Sequence, residues 1–178
     1  MRRVSARLIV VVLILVVMTQ PGLGRSNTAA EKPMTVEGVW FGTVFLGDPA
    51  SPATPKEQFL ATVHRDGTYI LDSTAETGAH PLNPGDKTPE HGVWTQRGLS
   101  VSTRGFFFDE AGGGLGFSVG RGVAQLQFVA PDSLSGLADF DFLPCQAGPL
   151  GCPDPLETDA LEIGNGFGPF PVTMRRVR

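Results

Sequence analysis

The chain has 178 residues, 41% of them hydrophobic, with a formal net charge of −4, three histidines and two cysteines. It is long enough for one domain of about 150 residues with a core of its own. Its acidic balance and lack of a basic cluster argue against nucleic acid and anionic membrane surfaces as partners, since both demand lysine and arginine.

The N-terminus reads as a signal peptide, residues 1–24. Arg2, Arg3 and Arg7 form a basic region, Leu8 through Val17 an uninterrupted apolar run, and Pro21-Gly22-Leu23-Gly24 a breaker with small residues before a cleavage site. The run is about half the ~20 residues a spanning helix needs, so no stable membrane anchor is expected after cleavage. Cleavage removes three positive charges and no negative ones, taking the formal charge to −7. The expected location is therefore secreted or periplasmic. In an oxidising compartment Cys145 and Cys152, which share a loop rich in Pro and Gly, are expected to form a disulfide.

Residues 25–34 are polar and small, a flexible mature N-terminus, and 35–178 form the folded domain. Thr35 to Leu46 is apolar, β-branched and aromatic, a first strand; Gly47 to Lys56, with Pro49, Pro52 and Pro55, is a loop. Gln58–Arg65 and Thr68–Asp72 flank Asp66-Gly67, expected as a two-residue hairpin turn with positive φ angles. Ser73 to Glu90 is a long polar loop. Gly92–Gln96, a turn at Arg97-Gly98 and Leu99–Phe108 make a second hairpin.

Asp109–Gly114 connects to a strand over about Gly116–Ala130, and Pro131-Asp132 turns the chain into Ser133–Leu143. There Leu134, Ala138, Phe140 and Phe142 alternate with Ser133, Ser135, Asp139 and Asp141, which predicts one buried and one wet face. The prolines of 144–170 forbid a long helix, leaving room for a short ordered piece around Leu156–Ile163. Val172–Val177 is the last strand. About eight short strands on short turns predict an all-β fold, a single up-and-down antiparallel barrel whose closure removes exposed edges; a β-sandwich is the alternative.

Both tryptophans lie in the same tripeptide, Gly38-Val39-Trp40 and Gly92-Val93-Trp94. The first, opening the first strand, resembles the Gly-x-Trp signature of lipocalins and the wider calycin barrels. That resemblance implies that Trp40 plugs a closed barrel end and that Arg175 or Arg176, from the last strand, packs across it. Two departures mark the chain as atypical of true lipocalins: the Pro-rich 144–170 cannot supply the helix usual near the last strand, and the mid-chain Thr-Asp-Tyr element is missing. Asp66-Gly67-Thr68-Tyr69 and His91-Gly92-Val93-Trp94 are also similar to small bacterial secreted barrel domains, and allene oxide cyclase-like barrels share the expected architecture.

Gly116-Phe117-Ser118-Val119-Gly120 matches Gly-x-Ser-x-Gly, but a nucleophile elbow needs a strand turning into a helix, and Arg121 to Phe128 reads as strand. His64, His80 and His91 are too scattered for a metal site, and no cofactor is expected. The residues to watch are Trp94, Tyr69, Arg104, Phe107 and Arg121. Phe107 is placed with Val101 and Thr103 on a cavity wall. Arg104 and Arg121 lie in apolar or small-residue strands: inside the barrel each wants a carboxylate or an anionic ligand, while on the solvent face neither needs anything. The expected function is to hold a small apolar molecule inside the barrel. The alternatives are a cyclase or isomerase on the same barrel, or an interaction or inhibitor domain working through its long loops.

Overall fold

The computed structural model describes residues 34–77, 85–111, 116–146 and 150–178. The leader 1–24, most of the N-terminal stretch 25–34, His80 and parts of the loops 73–90, 109–114 and 144–170 lie outside the described residues. Eight strands run in chain order: β1 Gly38–Phe45, β2 Lys56–Val63, β3 Thr68–Ser73, β4 Glu90–Arg97, β5 Ser100–Ala111, β6 Gly116–Ala130, β7 Ser133–Pro144 and β8 Phe170–Arg176. Each pairs antiparallel with its successor. β8 then pairs with β1, with Trp40 opposite Arg176, so the sheet is a closed barrel and not a sandwich. The only helical piece among the described residues is a 3₁₀ turn, Thr74–Thr77.

Side chains alternate across this wall, as a half-buried strand requires. In β2 Glu57, Phe59, Ala61 and Val63 point inward, and Lys56, Gln58 and Leu60 outward. The inward set merges into one core around Trp40, Val101, Leu134, Leu126 and Met174.

The turns differ in detail from expectation. Between β2 and β3, His64 N–H donates to Thr68 O and Gly67 N–H to His64 O, and only Gly67 has a positive φ, 89°. This is a longer turn closed by a glycine bulge, not a two-residue turn with two positive φ angles; Asp66 instead accepts from the Thr68 amide and hydroxyl at 3.0 and 2.6 Å. The second hairpin turns on Gly98-Leu99, one residue later than read, with the positive φ on Gly98 alone.

The turns 64–67, 98–99 and 131–132 join strands at the Trp40 end. The longer connections 46–55, 74–89 and 145–169 join them at the other.

The outer face of β7 corrects a further expectation. Asp139 and Asp141 do face outward, yet neither is on a wet face: Asp139 is 0% exposed. The segment between β7 and β8 is a strap of turns laid over them. Asp139 accepts the amides of Gly164 and Gly168 at 2.7 Å, and Phe167 N–H donates to Phe140 O at 2.8 Å. Where the lipocalin resemblance implies a helix, this chain therefore has a turn-rich strap. The Cys145–Cys152 disulfide closes the loop at its root.

Candidate functional site

The barrel's two ends are sealed by different chemistry. At the end with short turns, residues 34–37 cross beneath the strands. Trp40 is 0% exposed, and its indole N–H donates to Val36 O at 2.7 Å. The Arg176 guanidinium lies 4.3 Å from the indole centroid and donates to the carbonyls of Thr35 and Glu37. Gln96 finishes the seal, accepting from Val36 N–H at 3.0 Å and donating to Met34 O at 2.8 Å. Arg175, the preceding residue, is exposed on the outer face. The cation over the indole is thus Arg176.

At the other end the interior carries charge. Lys87 and Glu57 pair at 3.2 Å with side chains 8% and 9% exposed, and the Lys87 ammonium sits 4.4 Å from the Phe107 ring centroid. Phe107 packs edge-on against Phe142, and Phe142 against Phe167. Lys87, Glu57 and Phe107 thus form a plug in the interior at this end. Asp109, also buried, lies on the β5 segment bridged to Lys87.

Between plug and seal lies an internal cavity of about 70 Å³. Its walls are almost wholly apolar: Phe59, Leu71, Trp94, Val101, Phe140 and Met174 are among them. The polar exceptions are Glu90, Tyr69 and Thr103. The Tyr69 hydroxyl donates to Glu90 Oε1, and the Thr103 hydroxyl is a further hydrogen-bond partner of the phenol. Burial pushes the Glu90 carboxyl above its usual range, while Lys87 and the Tyr69 bond pull it partly back. Burial, then the Glu90 charge, raises the Tyr69 phenol well above its usual value.

This pair sits in a recess made by three glycines in register on adjacent strands, Gly92, Gly105 and Gly122. A Cβ on Gly105 would lie 2.3 Å from Tyr69 Oη and 2.4 Å from Glu90 Oε1. One on Gly122 would lie 3.0 Å from Glu90 Oε2, and one on Gly92 2.5 Å from the Tyr69 ring. The missing side chains make the room that the carboxyl and phenol occupy.

Of the residues singled out in the sequence, Trp94 and Tyr69 both face this cavity, and the Trp94 indole N–H donates to His64 O at 2.9 Å. Phe107 faces inward but belongs to the plug; Val101 and Thr103 do line the cavity. Arg104 is exposed on the outer face. Arg121 also faces outward, yet it is buried under the strap. There it grips Asp141 with two nitrogens and donates to Thr158 Oγ1 at 2.6 Å and to the Asp159 carbonyl. Neither arginine reaches the interior.

Ser118 lies within β6, paired with Asp109 and Pro144, so no strand-to-helix elbow forms around it. His64 and His91 are exposed. Among the described residues no cluster of histidine, cysteine and carboxylate side chains is placed to hold a metal ion.

Sequence reasoning missed Glu90, Glu57 and Lys87. A trace was present: Glu90, Gly92 and Trp94 are spaced two apart, so an inward Trp94 carries Glu90 to the same face. Compared with protein-family models, curated proteins and solved structures, the chain has no match in any of the three. What is established is an all-β, eight-stranded closed antiparallel barrel, consistent with a lipocalin-like fold.

Proposed function

We propose that this protein is a divergent lipocalin-like carrier that holds a small, mostly apolar molecule in the barrel interior. The observation behind this reading is the internal cavity, apolar on nearly every side, with the Glu90–Tyr69 pair on one wall. Pockets of this kind bind through apolar lining and orient the ligand with a few polar groups. The volume sets the size: an engineered apolar cavity of about 150 Å³ takes benzene, so about 70 Å³ suits a molecule of only a few heavy atoms. The Trp40–Arg176 stack supports the lipocalin-like relationship. The Cys145–Cys152 disulfide is compatible with the exported location that the N-terminus suggests.

Xenon under pressure, followed by methyl NMR, tests the reading. Saturable shifts are expected at Ala61, Val101, Ala138 and Val172, which surround the cavity. An absence of shifts there, together with native mass spectrometry that finds nothing bound to the exported protein, overturns it.

A second reading, an isomerase or cyclase, is favoured by one observation. A carboxyl with a raised pKa, bonded to a phenol beside a cavity, is a pairing suited to general acid–base chemistry. A bound compound recovered unchanged after long incubation supports the carrier. Product that accumulates with the wild type and not with Glu90→Gln supports the enzyme.

A further inference from the structure

Resting on the carrier reading, we propose that the occupant is a small primary amine bound as its ammonium ion. Its nitrogen lies on the Glu90 carboxylate and its carbon skeleton among Trp94, Phe59, Leu71 and Phe140.

The first argument is charge. Glu90 is 4% exposed and borders the cavity, yet among the described residues it forms no ion pair. Among the described residues, the groups that face this end of the interior are Tyr69 from β3, Glu57 from β2, Asp109 from β5 and Lys87 from the connection before β4. The direct ion-pair partner of Lys87 is Glu57. Glu90 receives a phenol hydrogen bond but no salt-bridging cation, and an ionised carboxylate in an apolar interior is costly until a cation reaches it. A ligand ammonium supplies that cation with a charge-assisted hydrogen bond.

The second argument is shape. The glycine recess surrounds both carboxylate oxygens and the phenol, so the wall is fitted to this pair. Tyr69 occupies Oε1 and fixes the carboxyl's orientation.

The third is the lining. Trp94, Tyr69, Phe59 and Phe140 put aromatic rings around the cavity, and aromatic walls are the recognised setting for ammonium groups. Apart from Glu90 and Thr103 the remaining side chains are aliphatic, which selects against amines carrying further polar groups. A skeleton of one or two carbons matches the volume of about 70 Å³.

A matched pair of probes tests this without any variant. Ethylamine and ethanol differ in the group presented to Glu90 and little in size. Titrated into the full exported protein at neutral pH and followed by the cavity methyl signals, the amine is expected to bind at least about tenfold more tightly, a difference of about 1.4 kcal/mol. In Glu90→Gln, which keeps the side chain's size, the amine preference should vanish while ethanol still binds.

Equal affinities in the wild type, or an amine preference that survives in Glu90→Gln, overturns the amine assignment and leaves the apolar cavity reading in place. Binding of neither probe, with no xenon shifts, overturns both. Should Glu90→Gln not fold, the wild-type affinity ratio decides alone.

Discussion

Two interior polar groups of this barrel, one near each end, are resolved in opposite ways. Arg176 at the sealed end is a cation whose needs are met within the chain: an indole face, two backbone carbonyls and Asp132 at 3.2 Å. Glu90, towards the plugged end, is a carboxyl held by a phenol, in a recess cut from three glycines, facing the cavity. Packing and hydrogen bonding at the Arg176 end are complete, which is how a structural seal is built. At Glu90 the hydrogen bond is made, but the adjoining volume is not filled. A barrel that needed only stability would close that space with a larger side chain, since unfilled apolar volume costs stability. The difference separates the part of the interior that holds the fold from the part able to hold something else.

The largest test of this contrast is Trp40→Ala. Removing a fully buried indole that also packs on Phe128 should cost about 3–5 kcal/mol, read as a lower urea midpoint with little change in slope. Gly105→Ala comes next. Its new methyl must displace Tyr69 or Glu90, an overpacking expected to cost about 1–3 kcal/mol. It should also abolish xenon shifts at the cavity methyls while leaving the Trp40 environment unchanged. If Gly105→Ala costs as much as Trp40→Ala, or spares the cavity, the two regions are not separable as described.

How much of this was legible in the sequence differs between the same two regions. The seal was readable because its parts are signalled locally: a Gly-x-Trp at the first strand, consecutive arginines in the last, and turn residues that set strand order. Even there Arg175 and Arg176 were indistinguishable until the register placed Arg176 opposite Trp40. The strap was hidden for another reason. Asp139 and Asp141 alternate with apolar residues as a solvent face would, and nothing in β7 announces that a Pro- and Gly-rich segment will cover them. Arg121 carried the complementary clue, a charge in an apolar strand, but strand periodicity shows only which face it shares. The Glu90 site was the least legible. Its carboxyl ends what reads as a polar loop, its phenol lies 21 residues earlier, and the glycine recess exists only once β4, β5 and β6 are in register.

The smallest expected effect carries the sharpest sign. Glu90 has its pKa raised in the folded protein, first by burial and then by the nearby Glu57 charge, against the opposing pull of Lys87 and Tyr69. The native state therefore holds this proton more tightly than the unfolded chain does. The associated stability is fully present below the ordinary glutamate value of 4.5 and is lost as pH rises through the raised native value. Asp66 and Asp132 act with the opposite sign. Thr68 and Arg178, respectively, hold their carboxyls below the ordinary aspartate value of 3.8, so their contribution is present above that value and disappears only at lower pH. The two windows do not overlap. Between pH 4.5 and neutrality the urea midpoint of the wild type should fall with a slope no steeper than one proton allows, about 1.4 kcal/mol per pH unit. Glu90→Gln should be flatter across the same range and unchanged in its acid limb. Parallel curves would mean that Glu90 is as well satisfied as Arg176, and the contrast between the two groups would collapse. A bound ammonium should also flatten the wild-type curve, because it stabilises the ionised carboxylate that burial alone disfavours.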